Sequence, residues 1–347
     1  MKTGIVRDDR YINHGHESHP ESPRRLQSVH AMVDSPEMAS LFVRIPPRYA
    51  SEEELRMVHT KSYIEEVAAT EGQGIAWLDP DTQTSEDSFQ TAKLAVGGVL
   101  NAVDAVVGGK VNNAFALVRP PGHHSHSRRA AGFCLFNNVA LAAQQALKKH
   151  KLERVLIVDW DLHHGDGTQD TFYESNSVLF FSSHQYPYYP GSGALQEVGN
   201  GDGLGYTINV PLATGAGNAE YLKIYQQLLV PATLAFKPEL IIVSAGFDTY
   251  FMDPLGGMKV TTEGYAYLTR MVMDLAKVCC KNRLLVVLEG GYHLQGLTAS
   301  IKAVLLELKE ETKTQPKMLE MIASGASSDY DAVISKVKDK LCDFWYK

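Results

Sequence analysis

The run Val155-Leu-Ile-Val158, passing directly into Asp159-Trp-Asp161-Leu-His163-His164-Gly-Asp166-Gly167, constrains this chain more than any other stretch. An uncharged aliphatic run of this length reads as a strand buried on both faces, as in a parallel sheet. It stops abruptly in carboxylates and imidazoles. Alternate side chains of an extended chain share a face, so Asp159, Asp161 and His163 point one way and Trp160 and Leu162 the other. In open α/β sheets, ligands bind in the crevice beyond the carboxyl ends of the strands. Solvated loop carboxylates would account for one aspartate. Two of them, two residues apart and followed by an imidazole, are costly to bury without a cation. Their oxygen and nitrogen donors suit Zn²⁺ or a similar divalent ion.

Other aliphatic runs end in the same way. Ala114-Phe-Ala-Leu-Val118 leads into Arg119-Pro-Pro-Gly122-His123-His124, where two prolines and a glycine forbid a helix and fix the paired histidines on an extended loop. Leu240-Ile-Ile-Val-Ser244 delivers Ala245-Gly-Phe-Asp248, and Leu284-Leu-Val-Val-Leu288 delivers Glu289-Gly-Gly-Tyr292. Loops converging from one edge of a parallel sheet are the expected pattern for an active site. Asp161, His163 and Asp248 make a three-ligand set that leaves a position open for water and substrate, as catalytic zinc requires. By contrast, His14, His16 and His19 lie in a stretch, Asp8 to Arg25, with no acid or cysteine at fixed spacing. They read as an ordinary polar loop.

Between these runs, Ser51-Glu-Glu-Glu54 is a capping box opening a helix expected to reach about Val67. Ser88 to Val107 reads as a helix with a small-residue face (Ala92, Ala95, Gly98). Ala219 to about Phe236 reads as a helix with a kink or break at Pro231, and the tail beyond Leu297 is helical by periodicity. No linker, repeat or low-complexity segment interrupts the alternation, so residues 1–347 are expected to form one α/β domain. A net charge of -7 argues against sequence-independent nucleic-acid binding. No apolar run approaches a membrane span, and Met1 to Asp8 lacks a signal-peptide core. Cys134, Cys279, Cys280 and Cys342 show no C-x-x-C spacing and read as the reduced thiols of a cytoplasmic protein.

In their order and spacing, Arg119-Pro-Pro-Gly-His-His124, Gly132-Phe-Cys134, Asp159-x-Asp-x-His-His-Gly-Asp-Gly-Thr-Gln169, Ser244-Ala-Gly-Phe-Asp248, Asp253-Pro-Leu-Gly-Gly257 and Glu289-Gly-Gly-Tyr292 carry a family resemblance. From about His19 to Gly296 the chain resembles the zinc-dependent histone deacetylase and acetylpolyamine amidohydrolase superfamily, most closely its class II branch. The resemblance implies a three-layer α/β/α fold with an eight-stranded, mainly parallel sheet.

It also implies roles. Asp161, His163 and Asp248 would bind one Zn²⁺. His124, oriented by Asp166, would be general base and then acid, while His123 pairs with Asp159. Tyr292 would donate a hydrogen bond to the substrate carbonyl. Phe133 and Tyr189 would wall the acyl-lysine tunnel beside Gly132, and Asp81 would grip substrate amides at the rim. A structural K⁺ would sit on backbone carbonyls of Asp159, Asp161, His163 and Ser183 with side-chain oxygens of Asp159 and Ser182. Phe172, Ser175 and Val178 match part of a second such site, and Arg25 would line an internal channel. Physical chemistry agrees with these roles: zinc lowers the pKa of a coordinated water to about 7, and a neutral His124 can accept the proton.

One segment departs from the family. Ser125-His126-Ser127-Arg128-Arg129-Ala130-Ala131 is bulkier and more basic than the alanine-led version; it is expected to border the mouth and to bear on rim specificity rather than catalysis. The function implied is removal of acetyl or other acyl groups from lysine side chains, with acetylpolyamines as the alternative substrate and a homo-oligomer allowed. Leu255 carries the choice, because polyamine-selective relatives have a glutamate there, whereas leucine suits the aliphatic stem of an acyl-lysine. A dinuclear arginase-like hydrolase would need further aspartates where Gly165 and Tyr250 stand. A non-catalytic acetyl-lysine reader would lack the donor that Tyr292 supplies.

Overall fold

The computed structural model describes residues 1–312 and 314–346. Its strands are β1 (Thr3–Val6), β2 (Val43–Arg44), β3 (Ala76–Trp77), β4 (Gln83–Thr84), β5 (Asn113–Ala116), β6 (Val155–Asp159), β7 (Val178–Gln185), β8 (Thr207–Leu212), β9 (Leu240–Ala245) and β10 (Leu284–Leu288). Eight of them form one sheet in the order β2-β1-β5-β10-β9-β6-β7-β8, and β3 and β4 pair separately. Every pairing within the large sheet is parallel. Helices flank it, which is why β5, β6, β7, β9 and β10 are buried along their whole lengths. Among the described residues no helix is long and apolar enough to cross a membrane.

Register sets the site. Asp159 at the end of β6 lies opposite Ser182 on β7 and Ser244 on β9, so the three chain ends leave the sheet at one level. The helix Ser88–Val107 buries its small face as expected. A Cβ on Gly98 would stand 2.5 Å from the Tyr11 hydroxyl.

Two helices differ from their expected form. The Ser51 capping box is present, but its helix ends at Leu55 and another begins at Lys61. The break lets the chain plug into the loop after the paired histidines. His59 Nδ1 contacts the His126 carbonyl at 3.0 Å, its Nε2 accepts from the Asn137 N–H, and the Thr60 N–H donates to the Ser127 carbonyl. In the second case, Asn218–Ile224 passes through a π-helical turn, Tyr225–Leu229, before Val230–Phe236. Pro231, which donates no backbone hydrogen bond, falls in the first turn of Val230–Phe236, directly after the π-helical turn.

Candidate active site

Asp161, His163 and Asp248 converge from the ends of β6 and β9. They form a group that could hold a metal ion, with one ligand atom of each lying within 4.8 Å of the others. His163 Nδ1 is 3.1 Å from Asp161 Oδ1 and 3.2 Å from Asp248 Oδ2. Zinc bonds of about 2.0–2.2 Å in a tetrahedral set imply ligand separations of about 3.3–3.6 Å, so the side chains already stand close to a zinc-sized spacing. The remaining lone pairs are held from behind. Asp161 Oδ1 accepts from His163 N, Asp161 Oδ2 from Gly290 N, and Asp248 Oδ1 from Leu162 N. Asp248 Oδ2 alone of the four carboxylate oxygens has no hydrogen-bond partner, although the residue is fully buried. An orphaned, buried carboxylate oxygen facing an imidazole nitrogen and a second carboxylate fits a cation.

Glycine makes the convergence possible. A Cβ on Gly246 would lie 2.0 Å from Asp161 Oδ2, and one on Gly290 would lie 2.3 Å from Asp248 Oδ2. Any side chain at either position would occupy the space of a ligand. Burial opposes charging of His163, but the Asp161 and Asp248 carboxylates beside it outweigh that and raise its pKa to about 10. A metal and a proton therefore compete for one nitrogen.

The paired histidines are positioned by buried charges. Arg119 is fully buried and is gripped by both oxygens of Glu21, at 2.5 and 2.7 Å. Farther along the loop, Glu289 Oε2 accepts from the N–H groups of Gly122 and His123, and its Oε1 accepts from the Ser244 hydroxyl. The result is two parallel dyads. His123 Nδ1 lies 3.0 Å from Asp159 Oδ2, and His124 Nδ1 lies 2.7 Å from Asp166 Oδ1, with the rings 4.0 Å apart. A carboxylate only accepts, so Nδ1 carries the hydrogen in both dyads and His124 keeps Nε2 as a free acceptor. Their environments drive them apart. At His123 burial is outweighed by Asp161 and Asp159, which hold its pKa well above the ordinary imidazole value. At His124 burial and the neighbouring His123 charge lower it to about 4.

Tyr292 follows β10. Its backbone N–H and that of His293 both donate to Asp253 Oδ2, while Asp253 Oδ1 accepts from Leu255 N. Arg25 sits under the phenol ring at 5.1 Å and donates to the carbonyls of Gly291 and Glu289 and to Glu21. It is fully buried and braces this loop.

Tyr292, His124 and His163 line a cavity of about 200 Å³ together with the expected mouth residues Gly132, Phe133, Tyr189, Leu255 and Asp81. Tyr188, which the sequence did not single out, also lines it, and its ring stacks on His163 with centroids 5.8 Å apart. Phe133 has a left-handed φ of 68° and stands edge-on to Tyr292 at 6.0 Å. Such strain persists only where neighbours enforce it. Here the Phe133 N–H donates to the Thr82 hydroxyl and the Gly132 N–H to Asp81 Oδ1. One oxygen of Asp81 is thus committed to shaping the wall.

The residues expected around K⁺ lie at the adjoining ends of β6 and β7. Asp159 and Ser182 are register neighbours, but the Ser182 hydroxyl pairs with His184 Nδ1 at 2.9 Å and the Ser183 hydroxyl with that of Tyr225. Phe172, Ser175 and Val178 lie between the helix Asp166–Phe172 and the start of β7, with the Phe172 carbonyl accepting from Ser175 N.

The segment Ser125–Ala131 adjoins the mouth, His126 and Arg129 lining a neighbouring groove with Asp81 and Tyr189, but its first residues also turn inward. Ser125 is fully buried, His126 is 8% exposed, and His126 Nε2 lies 2.9 Å from Asp166 Oδ2, on the carboxylate that serves His124. The Ser125 hydroxyl donates to the Leu135 carbonyl, and the Asn137 amide donates to the Ser125 carbonyl, turning the loop inward. Only its later part, Ser127 to Arg129, is exposed. Likewise the stretch holding His14, His16 and His19 is more than a polar loop, since it packs around the buried Arg119–Glu21 pair and His14 is 3% exposed. Sequence reasoning missed His126, Asp253, Glu289 and Glu21. An acid recurring four residues after Asp166, at Asp170, was the available signal for a second histidine partner.

Residues 19–308 match the family described as Histone deacetylase domain. A probable deacetylase of Archaeoglobus fulgidus is 41% identical over 303 residues, covering 85% of this chain and 83% of its own length. Histone deacetylase 15 of Arabidopsis thaliana is 40% identical over 322 residues, covering 89% of this chain and 57% of its own. Polyamine deacetylase HDAC10 of Homo sapiens is 44% identical over 300 residues, covering 81% and 43%. The chain spans about half the length of these two eukaryotic relatives. The crystal structure of the HDA15 HD domain superimposes with a TM-score of 0.91 at 38% identity, over 99% of this chain and 95% of that one.

Proposed function

The chain belongs to the histone deacetylase family, and from that premise we propose that it is a zinc-dependent amidohydrolase removing acetyl or other acyl groups from lysine side chains of peptides or proteins. The observation that carries this reading is the buried Asp161/His163/Asp248 set, with its orphaned Asp248 Oδ2, on the same cavity as His124 and Tyr292. These three side chains would hold Zn²⁺, which when bound acidifies a water and polarises the substrate carbonyl. His124, neutral near pH 7, accepts the proton of the attacking water at Nε2 while Asp166 steadies Nδ1. The same Nε2 returns it to the leaving amine. His123, charged and held by Asp159, keeps its neighbour from protonating early. The Tyr292 hydroxyl donates to the carbonyl oxygen as negative charge develops there, a contribution of about 3 kcal/mol for one such donor. Phe133 and Tyr189 flank the acyl-lysine stem and exclude water from it. Asp159 and Ser182 with neighbouring carbonyls would bind K⁺, and Phe172, Ser175 and Val178 a second ion, as structural ions of a single cytoplasmic deacetylase domain.

Asp161→Asn tests the metal requirement: bound zinc and kcat should fall together. Full activity in a metal-free preparation would overturn the reading.

A second reading, deacetylation of acetylpolyamines by the same chemistry, draws support from the 44% identity to a human relative named a polyamine deacetylase. Leu255 at the cavity weighs against it, because it offers no charge to a distal ammonium. Comparing kcat/KM for acyl-lysine peptides and for N-acetylputrescine or N-acetylspermidine separates the two. A higher value for the acetylpolyamines would reverse the substrate choice and leave the chemistry intact.

A further inference from the structure

The segment that departs from the alanine-led family pattern reaches the candidate base through a shared carboxylate. Asp166 Oδ1 faces His124 Nδ1 at 2.7 Å, and its Oδ2 faces His126 Nε2 at 2.9 Å. On the other side of the His126 ring, Nδ1 lies 2.5 Å from Asp170 Oδ2. Asp166 and Asp170 are one turn apart on the helix Asp166–Phe172 and present their carboxylates on one face. His126 bridges them.

Nδ1 of His126 faces an acceptor-only carboxylate and so carries hydrogen, while Nε2 stands between Asp166 Oδ2 and the donor-only guanidinium of Arg129, so the ring is a cation when Arg129 turns away. Burial opposes that charge, but Asp166 and Asp170 prevail and lift its pKa to about 9. Arg129 also approaches, at 2.7 Å from Nε2 and 3.8 Å from Asp166 Oδ2. Its side chain is 60% exposed and can withdraw into solvent, whereas Asp166 is anchored by His124. His59 bonds the His126 carbonyl through Nδ1 and fixes the backbone that carries the imidazole.

A carboxylate held through one oxygen can still rotate about its Cβ–Cγ bond. Held through both, it is locked. We propose that His126 is a positioning residue for the amide hydrolysis: by bridging Asp166 to Asp170 it fixes the Asp166 carboxylate so that Oδ1 stays on His124 Nδ1 and Nε2 stays aimed into the cavity. The proposal rests on the reading of His124 as the base.

The test uses His126→Ala, His126→Gln and Asp170→Asn, with kcat and KM for an acyl-lysine peptide and histidine side-chain ¹⁵N–¹H spectra of each protein. Outer partners of this kind typically matter 10–100-fold, so His126→Ala should lower kcat roughly 10–100-fold with KM changed less than about twofold. The hydrogen-bonded Nδ1 proton of His124 should broaden or shift in the same variant. His126→Gln, whose amide can still donate to Asp166 Oδ2, should recover most of the kcat. Asp170 has a 62% exposed side chain, so Asp170→Asn should fold even if His126→Ala does not, and should show a smaller loss in the same direction.

Wild-type kcat and an unmoved His124 signal in both Asp170→Asn and whichever His126 variant folds would overturn the proposal. A loss confined to KM would overturn it too, by making His126 a mouth residue. His124→Ala, run in parallel, separates the two levels. Full activity there would sink the base assignment itself, whereas an inactive His124→Ala beside a fully active His126→Ala would sink only the role given to His126.

Discussion

Two loops of this molecule are rich in histidine, and they have opposite fates. The first carries His14, His16 and His19; the second carries His123, His124 and His126. They touch, since Arg119 at the root of the second donates to the His14 carbonyl of the first. In the first loop the nearby acid is already taken. Glu21 lies 3.6 Å from His14 Nε2, but Arg25 and Arg119 saturate it, and His14 settles for the Ser88 hydroxyl. Burial and the Arg119 charge lower the His14 pKa to about 3. In the second loop each imidazole has a carboxylate, and His124 keeps a nitrogen facing a cavity. Histidine becomes chemistry when an acid orients one nitrogen and space is left at the other. Histidine count alone says little.

The sharpest way to break this contrast is to remove one imidazole from each loop. His124→Ala should lower kcat by roughly 10²–10⁴, while His14→Ala should leave the kcat of the folded fraction unchanged. Equal losses, measured on samples normalised for folded protein, would erase the distinction. Tyr292→Phe tests whether the second loop's cavity is where charge develops. It should cost roughly 10²–10³ in kcat with little change in KM, and a loss seen only in KM would reduce the phenol to a wall.

Leu255→Glu sharpens the contrast at the mouth. It should shift preference toward N-acetylspermidine over an acyl-lysine peptide by about tenfold, the order of a single charge contact of 1–2 kcal/mol. An unchanged ratio would mean Leu255 only packs its loop.

The smallest effect is on stability alone. The folded pKa of His14 lies below its ordinary value, so the unfolded chain binds that proton first as pH falls. Its contribution is whole above about pH 6.5 and is lost as pH drops toward about 3. The urea midpoint of His14→Gln should therefore fall less between pH 7 and pH 5 than that of the wild type, by the equivalent of about 1–2 kcal/mol. Parallel curves would show that the imidazole does not titrate on unfolding.

Much of this was legible before any coordinates. The aliphatic runs marked β5, β6, β9 and β10, because strands buried on both faces have to be apolar throughout. The residues just beyond them marked the site, because buried acids and imidazoles at fixed spacing have few other uses. What stayed hidden depends on contacts distant in sequence. The helix expected from Ser51 to Val67 breaks because His59 is needed 67 residues away at the His126 carbonyl. His126 looked like a surface residue of a basic loop, and nothing local says that it turns inward to meet Asp166. Asp253 stood out only as the start of the Asp253-Pro-Leu-Gly-Gly257 motif, yet it holds the backbone of Tyr292 from 39 residues upstream.

The strand order carries a consequence in time. β6 delivers Asp161 and His163, while Asp248 arrives on β9, and Leu162 bonds to it across 86 residues. At about 5–20 residues per second, a nascent chain offers its first two ligands for roughly 4–17 s before the third has been synthesised, and longer still before Tyr292 follows. A parallel sheet with neighbours so far apart in the chain closes slowly, because the loop entropy falls due before the contacts form. Throughout that interval the exposed Asp-x-Asp-x-His segment is an incomplete chelator. Asp248 and Tyr292 come only with the completed fold, so on the proposed reading a chain released early would carry two of the three metal ligands and no means of using them.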